Sequence, residues 1–129
     1  EAAGGLDRPF AIAVVARTPE EAIVVLRAVH GPRFEPEPWM VESLVVRASE
    51  SPMLRLTGTA EKFVDRRLGE IRCPASIIWG EDDGVLPVSY GEALRDGIAG
   101  AKLHVIAGAA HIPHLQQPAE VLRCLMAIC

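Results

Sequence analysis

Two short stretches hold the residues with the means to do chemistry. The first, "IIWGEDDGVLPV" (Ile77 to Val88), sets Glu81, Asp82 and Asp83 directly behind an apolar run and a glycine. The second, "GAAHIPH" (Gly108 to His114), sets His111 and His114 behind another apolar run. Carboxylates crowded together repel, so such a cluster is a solvated turn or a site where one acid has a partner. A partnered carboxylate holds one imidazole nitrogen, fixes the tautomer and leaves the other nitrogen free as a base. The chemistry on offer is therefore proton transfer by a carboxylate–imidazole pair.

That pair forms only if the two stretches meet. "ASIIWG" and "AKLHVIAG" are short β-prone runs, each closed by glycine, and "VSYGEALRDGI" between them is helical behind Pro87. Strand, helix, strand with a long connection is the pattern of a right-handed parallel βαβ unit. "PAEVLRCLMAI", with Pro118 in its first turn, supplies a final helix to cover the sheet. In an open α/β sheet, ligands bind at the carboxyl ends of the strands. Both polar stretches lie there, bringing Asp82 or Asp83 beside His111 or His114.

Ahead of "CPA" (Cys73 to Ala75) the chain reads as helical. In "TPEEAIVVLRAVHG" Thr18 caps, Pro19 takes the first helical position and Glu21 completes a capping box. Ala22, Val25, Leu26 and Val29 share one face, and Gly31 ends the helix. "GPRFEPEP" is a proline-rich connection, "WMVESLVVRA" a second helix, and "TAEKFVDRRLG" a third, starting at Thr59 and ending at Gly69 with apolar Phe63, Val64 and Leu68 between. The division is thus a helical segment over 1–71 and an α/β unit over 72–129.

"CPASIIWGEDDGVLP" followed by "AKLHVIAGAAHIPHLQQP" resembles the closing third of an α/β-hydrolase, in which an acid sits in a G-x-x-D-x-x-x-P turn and a histidine follows the next strand. In that register Gly80, Asp83 and Pro87 align, which implies Asp83 as the catalytic acid and His111 as the base. The resemblance is strong from Arg72 to Cys129, and the helical first half is similar to the family's cap only by position. It implies a partial α/β-hydrolase fold: a cap segment, then a parallel β-α-β-α unit. The family's nucleophile stands in a G-x-S-x-G elbow ahead of the cap. Ser43, Ser49, Ser51, Ser76 and Ser89 lack the flanking glycines, so the nucleophile and its half of the fold are expected upstream. Two positions depart from the family pattern: Ala110 replaces a glycine, with a shifted histidine loop as the expected consequence, and Gln116 replaces a glutamate, removing a charge.

The function implied is hydrolysis of an ester-like or related small apolar substrate through a nucleophile–His111–Asp83 triad, with this chain silent alone. The alternative is a non-catalytic remnant of the same fold, or a partner-binding one, in which "EDDG" is ordinary turn chemistry. Asp82 is the fallback acid, Glu81 a solvent-facing charge, His114 a loop-packing residue, and His30 and His104 structural. Trp79 reads as core. Phe34, Trp39 and Met40 are candidates to line a lid over the substrate, against plain helix packing as their other reading.

Composition narrows the partners. With 13 basic and 17 acidic residues the net charge is −4, which argues against nucleic acid or an anionic membrane as the main partner. No apolar run approaches the roughly 18 residues that span a bilayer. Cys73, Cys124 and Cys129 show no disulfide or metal-ligand spacing, so a cytoplasmic setting, no metal and no cofactor are expected. Two strands leave a sheet edge open, and self-association is expected from it.

Overall fold

A computed structural model of the protein describes residues 16–48, 50 and 64–127. The helical segment begins with α1 (Pro19–His30), for which Thr18 is the N-cap: its hydroxyl oxygen accepts from the Glu21 amide. Glu21 does not close a capping box on Thr18. Its carboxylate accepts instead from the Arg17 amide at 2.7 Å, one residue further out. The buried side chains of α1 are Ala22, Val25 and Ala28. Leu26, expected on that face, is only partly buried, while Ala28 is turned inward against the acid turn described below. Gly31, at φ 110°, ends the helix and donates its amide to Arg27 O, a conformation that suits glycine and few other residues.

After the proline-rich connection comes α2 (Pro38–Ala48). It packs on α1 through Val41, Leu44 and Val45, which meet Ala16, Ala22 and Val25 in the first apolar cluster. The third helix differs from expectation. Its described part is a 3-10 helix over Val64–Glu70, with Gly69 inside it rather than at its end. Thr59 and Phe63 lie outside the described residues, as do Ser49, Ser51 and Cys129. Leu68 from this turn is buried and sits over Gly97, where a β-carbon would come within 2.6 Å of its Cδ1.

The remainder is β1 (Ser76–Gly80), α3 (Val88–Gly97), β2 (Lys102–Ile106), α4 (Pro113–Gln116) and α5 (Pro118–Met126). The strands pair in parallel, Ser76 opposite Lys102 through Gly80 opposite Ile106, so both end at one edge of the sheet. Helix α3 lies on the sheet with Gly91 against Trp79 and Leu103. Helix α5 buries Val121 against Ile106 and Ala109, with Ile78 and Cys124 around them, as the second apolar cluster. The short α4 is not foreseen by the sequence pattern, because one turn opened by a proline carries no periodic signal. Fold and sequence agree on an α/β arrangement of parallel strands and covering helices.

Candidate functional site

The two polar stretches meet through their backbones before any side chain is considered. Beyond β1, the Glu81 amide donates to Ile106 O at 3.0 Å and the Asp82 amide to Ala109 O at 2.8 Å, so the acid turn is stitched to the histidine loop. The approach is close enough to require glycine at the strand end. A β-carbon on Gly80 would lie 1.9 Å from Ala110 O and 2.5 Å from Ala109 O.

Within the turn, Asp83 takes the interior position. Its Oδ1 accepts from the Val85 amide at 2.8 Å and the Leu86 amide at 2.9 Å. These are the i+2 and i+3 donors that an aspartate naturally gathers in a turn. Trp79 Nε1 donates to Leu86 O at 2.8 Å, tying the far side of the turn to β1. With Oδ1 occupied, Oδ2 faces outward and lies 2.9 Å from His111 Nδ1. The Asp83 side chain is 5% exposed and that of His111 37%. A nearly dry carboxylate thus holds one nitrogen of a ring that solvent can still reach.

The neighbours take other parts. Asp82 and Glu81 are exposed, and Glu81 Oε2 accepts from the Gly108 amide at 3.3 Å. His114 is exposed on α4. His30 ends α1 and stacks on Phe34, ring centroids 4.3 Å apart. His104 Nε2 is buried and has no hydrogen-bond partner among the described residues. Trp79 is half-buried through the contacts given above. Of the lid candidates, Phe34 is engaged with His30, Met40 is half-buried, and Trp39 is 64% exposed on α2. An apolar groove of about 490 Å³ runs between α1 and α2, walled by Ile23, Pro36, Pro38, Val41, Val45 and Val46. None of the three lid candidates is among its walls.

The carboxyl end of α1 enters the site without any sequence motif to announce it. The last carbonyls of a helix have no partner inside the helix, and three of these find theirs in the site loops. Gly84 N donates to Ala28 O at 3.1 Å, His111 N to Val29 O at 3.0 Å, and Gln116 Nε2 to His30 O at 2.6 Å. Gly84 is needed for this docking, since a β-carbon there would lie 2.8 Å from Ala28 Cα. Ala110, in place of a glycine, causes no backbone strain: among the described residues no non-glycine has a positive φ. Its amide donates to Gln116 Oε1 at 2.8 Å. No group of three or more His, Cys, Asp or Glu side chains among the described residues is placed to hold a metal ion.

A model of the alpha/beta hydrolase family matches residues 2–123. The chain belongs to the α/β-hydrolase family. A 2-hydroxy-6-oxononadienedioate/2-hydroxy-6-oxononatrienedioate hydrolase of Klebsiella pneumoniae is 44% identical over 45 residues, 35% of this chain and 16% of that protein. The 2-hydroxy-6-oxo-6-phenylhexa-2,4-dienoate hydrolase of Comamonas testosteroni is 32% identical over 74 residues, 57% of this chain and 24% of that protein. This α/β-hydrolase chain therefore spans a quarter or less of the length of these two relatives. Among solved structures, a membrane phospholipase A described as a bacterial virulence factor superposes with a TM-score of 0.72 at 20% identity, covering 95% of this chain and 44% of that one. An esterase from Exiguobacterium antarcticum gives 0.64 at 21% identity, over 84% and 41%. At such identities these structures speak for the fold. Among the described residues, no helix of this α/β-hydrolase chain is long and apolar enough to cross a membrane.

Proposed function

We propose that the chain forms the part of an α/β-hydrolase that carries the acid, Asp83, and the base, His111, of a nucleophile–histidine–acid triad. The nucleophile and its oxyanion donors belong to polypeptide upstream of these residues, and the substrate is a small apolar compound cleaved at an ester-like or carbon–carbon bond. Residues 1–71 act as the cap over that substrate in this reading, and Phe34, Trp39 and Met40 contribute to its lining. The observation that carries the reading is the 2.9 Å contact between Asp83 Oδ2 and His111 Nδ1, with Asp83 Oδ1 already held by two amides. The names of the two relatives favour oxo-dienoate-like compounds, which carry one or two carboxylates, so in this reading only the rest of the substrate is apolar.

With Nδ1–H donated to Asp83, Nε2 of His111 is the basic nitrogen, and it accepts the proton of the nucleophile as that group attacks the carbonyl carbon. The imidazolium so formed is stabilised by the Asp83 carboxylate. It then returns the proton to the leaving group as the bond to the carbonyl carbon breaks, giving an acyl-enzyme. In the second half His111 takes a proton from water, hydroxide attacks the acyl carbon, and the nucleophile leaves with that proton.

Alone, the chain is expected to be silent towards esters, because one missing oxyanion donor typically costs about 10²–10³ in rate and the nucleophile is also lacking. Co-expression with the upstream polypeptide should give hydrolysis of a short-chain aryl ester that His111→Ala abolishes. Ester hydrolysis by the lone chain that persists in His111→Ala would overturn the reading. So would a reconstituted enzyme indifferent to that change.

A further inference from the structure

We infer that Gln116 is a positioning residue that pins the histidine loop to the carboxyl end of α1, and that it does so as an amide because it must accept on one side and donate on the other. The inference rests on the reading of His111 as the base. Gln116 Oε1 accepts from the Ala110 amide, immediately before His111, at 2.8 Å. Its Nε2 donates to His30 O, the last carbonyl of α1, at 2.6 Å. The neighbours fix which way the amide points, since a backbone N–H needs the oxygen and a carbonyl needs the nitrogen. Between these two bonds the His111 amide donates to Val29 O at 3.0 Å. Three hydrogen bonds thus bracket the residue that carries the imidazole, two of them made by one side chain.

A glutamate at this position would keep half the bracket. An ionised carboxylate only accepts, so it would hold the Ala110 amide well and set an oxygen against His30 O, where like partial charges repel. Its acid form has one accepting oxygen and one donating hydroxyl, and matches the amide. The residue that reads in sequence as a lost charge is, in the fold, the group that joins the α1 end to the base. Any displacement of that helix end is thereby passed to His111.

Amide hydrogen exchange on the 129-residue chain tests this residue by residue. In Gln116→Met the Ala110 and His111 amides should exchange about three- to tenfold faster, the range for loss of a neutral hydrogen bond. The Gly84 amide bonds to Ala28 O without help from Gln116 and should keep its protection, which separates release of the loop from general loosening of α1. In Gln116→Glu at neutral pH the Ala110 amide should stay protected while that of His111 quickens. At about pH 4, where a carboxyl regains its proton, His111 protection should return to the wild-type value at the same pH. Unchanged His111 protection in both variants would overturn the inference. So would a Gln116→Glu protein that behaves like Gln116→Met at both pH values, or equal losses at Gly84 and His111. None of these readouts needs hydrolysis to occur, so the bracket and the triad reading fail separately.

Discussion

Asp83 is singled out from its two acidic neighbours by what its first oxygen touches. Oδ1 is bound by the amides two and three residues ahead, which leaves Oδ2 a single direction, towards His111. Asp83→Asn tests this division of labour. The asparagine oxygen can keep the Val85 and Leu86 amides, so the turn should survive, but an NH₂ then faces Nδ1 and forces the proton onto Nε2. The wrong nitrogen would be basic. In the reconstituted enzyme of the proposed reading, kcat should fall by about 10⁴, the scale seen when a triad acid becomes an amide, with the melting temperature little changed. A kinetic measurement showing less than a tenfold loss would count against Asp83 as the orienting acid. From residue types and spacing the site was legible only to within four pairings, Asp82 or Asp83 with His111 or His114, and the family register chose one. What remained hidden was the part of Gln116. Its partner His30 is 86 positions away, and no local pattern marks a side chain that spans a loop and the end of a distant helix.

Apart from the one-turn α4, the strands and helices from Ser76 to Met126 were readable because each carries its own punctuation: Gly80 closing β1, Pro87 before α3, Pro118 opening α5. The first turn of α1 was equally plain from Thr18 and Pro19. Less plain was the segment at Val64–Glu70, where Leu68 is buried over Gly97 of α3 and a tighter 3-10 turn stands in place of the expected α-helix. Here tertiary contact overrides helical periodicity. The inward turn of Ala28 follows the same logic, since its face is set by the docking of Gly84. The junction of β1 with the histidine loop makes a sharp prediction. In Gly80→Ala the new β-carbon would strike two backbone carbonyl oxygens, neither of which can rotate away. Overpacking of a fixed backbone costs about 1–3 kcal/mol, and the relief available is withdrawal of Ala109–His111 from the acid turn. Urea denaturation should show the loss in stability, and the Asp82 amide should lose protection because its acceptor, Ala109 O, moves. A variant as stable as wild type with Asp82 still protected would show that the two loops are less tightly joined than these distances require.

At the scale of the whole molecule, the described sheet has two strands, and much apolar surface around it faces solvent. On α5, Leu122 is 58% and Met126 67% exposed; four residues apart, they lie on one side of the helix. Leu115 on α4 is 68% exposed and Val105 on β2 44%. Scattered apolar residues are normal on a surface, but neighbouring ones beside a short sheet favour association. A net charge of −4 on 129 residues opposes this only weakly, because at physiological salt charges are screened beyond about 8 Å. The lone chain is therefore expected to self-associate, with sedimentation velocity giving an average mass that rises with concentration. Leu122→Lys combined with Met126→Lys should move the distribution towards monomer. Neither residue belongs to the buried cluster around Val121, so secondary structure by circular dichroism should hold while the mass falls. A wild-type chain that sediments as a monomer at every concentration would remove the case for an adhesive α5. A double variant that stays associated would move the contact to the strand edge, where backbone pairing rather than side-chain burial holds the copies together.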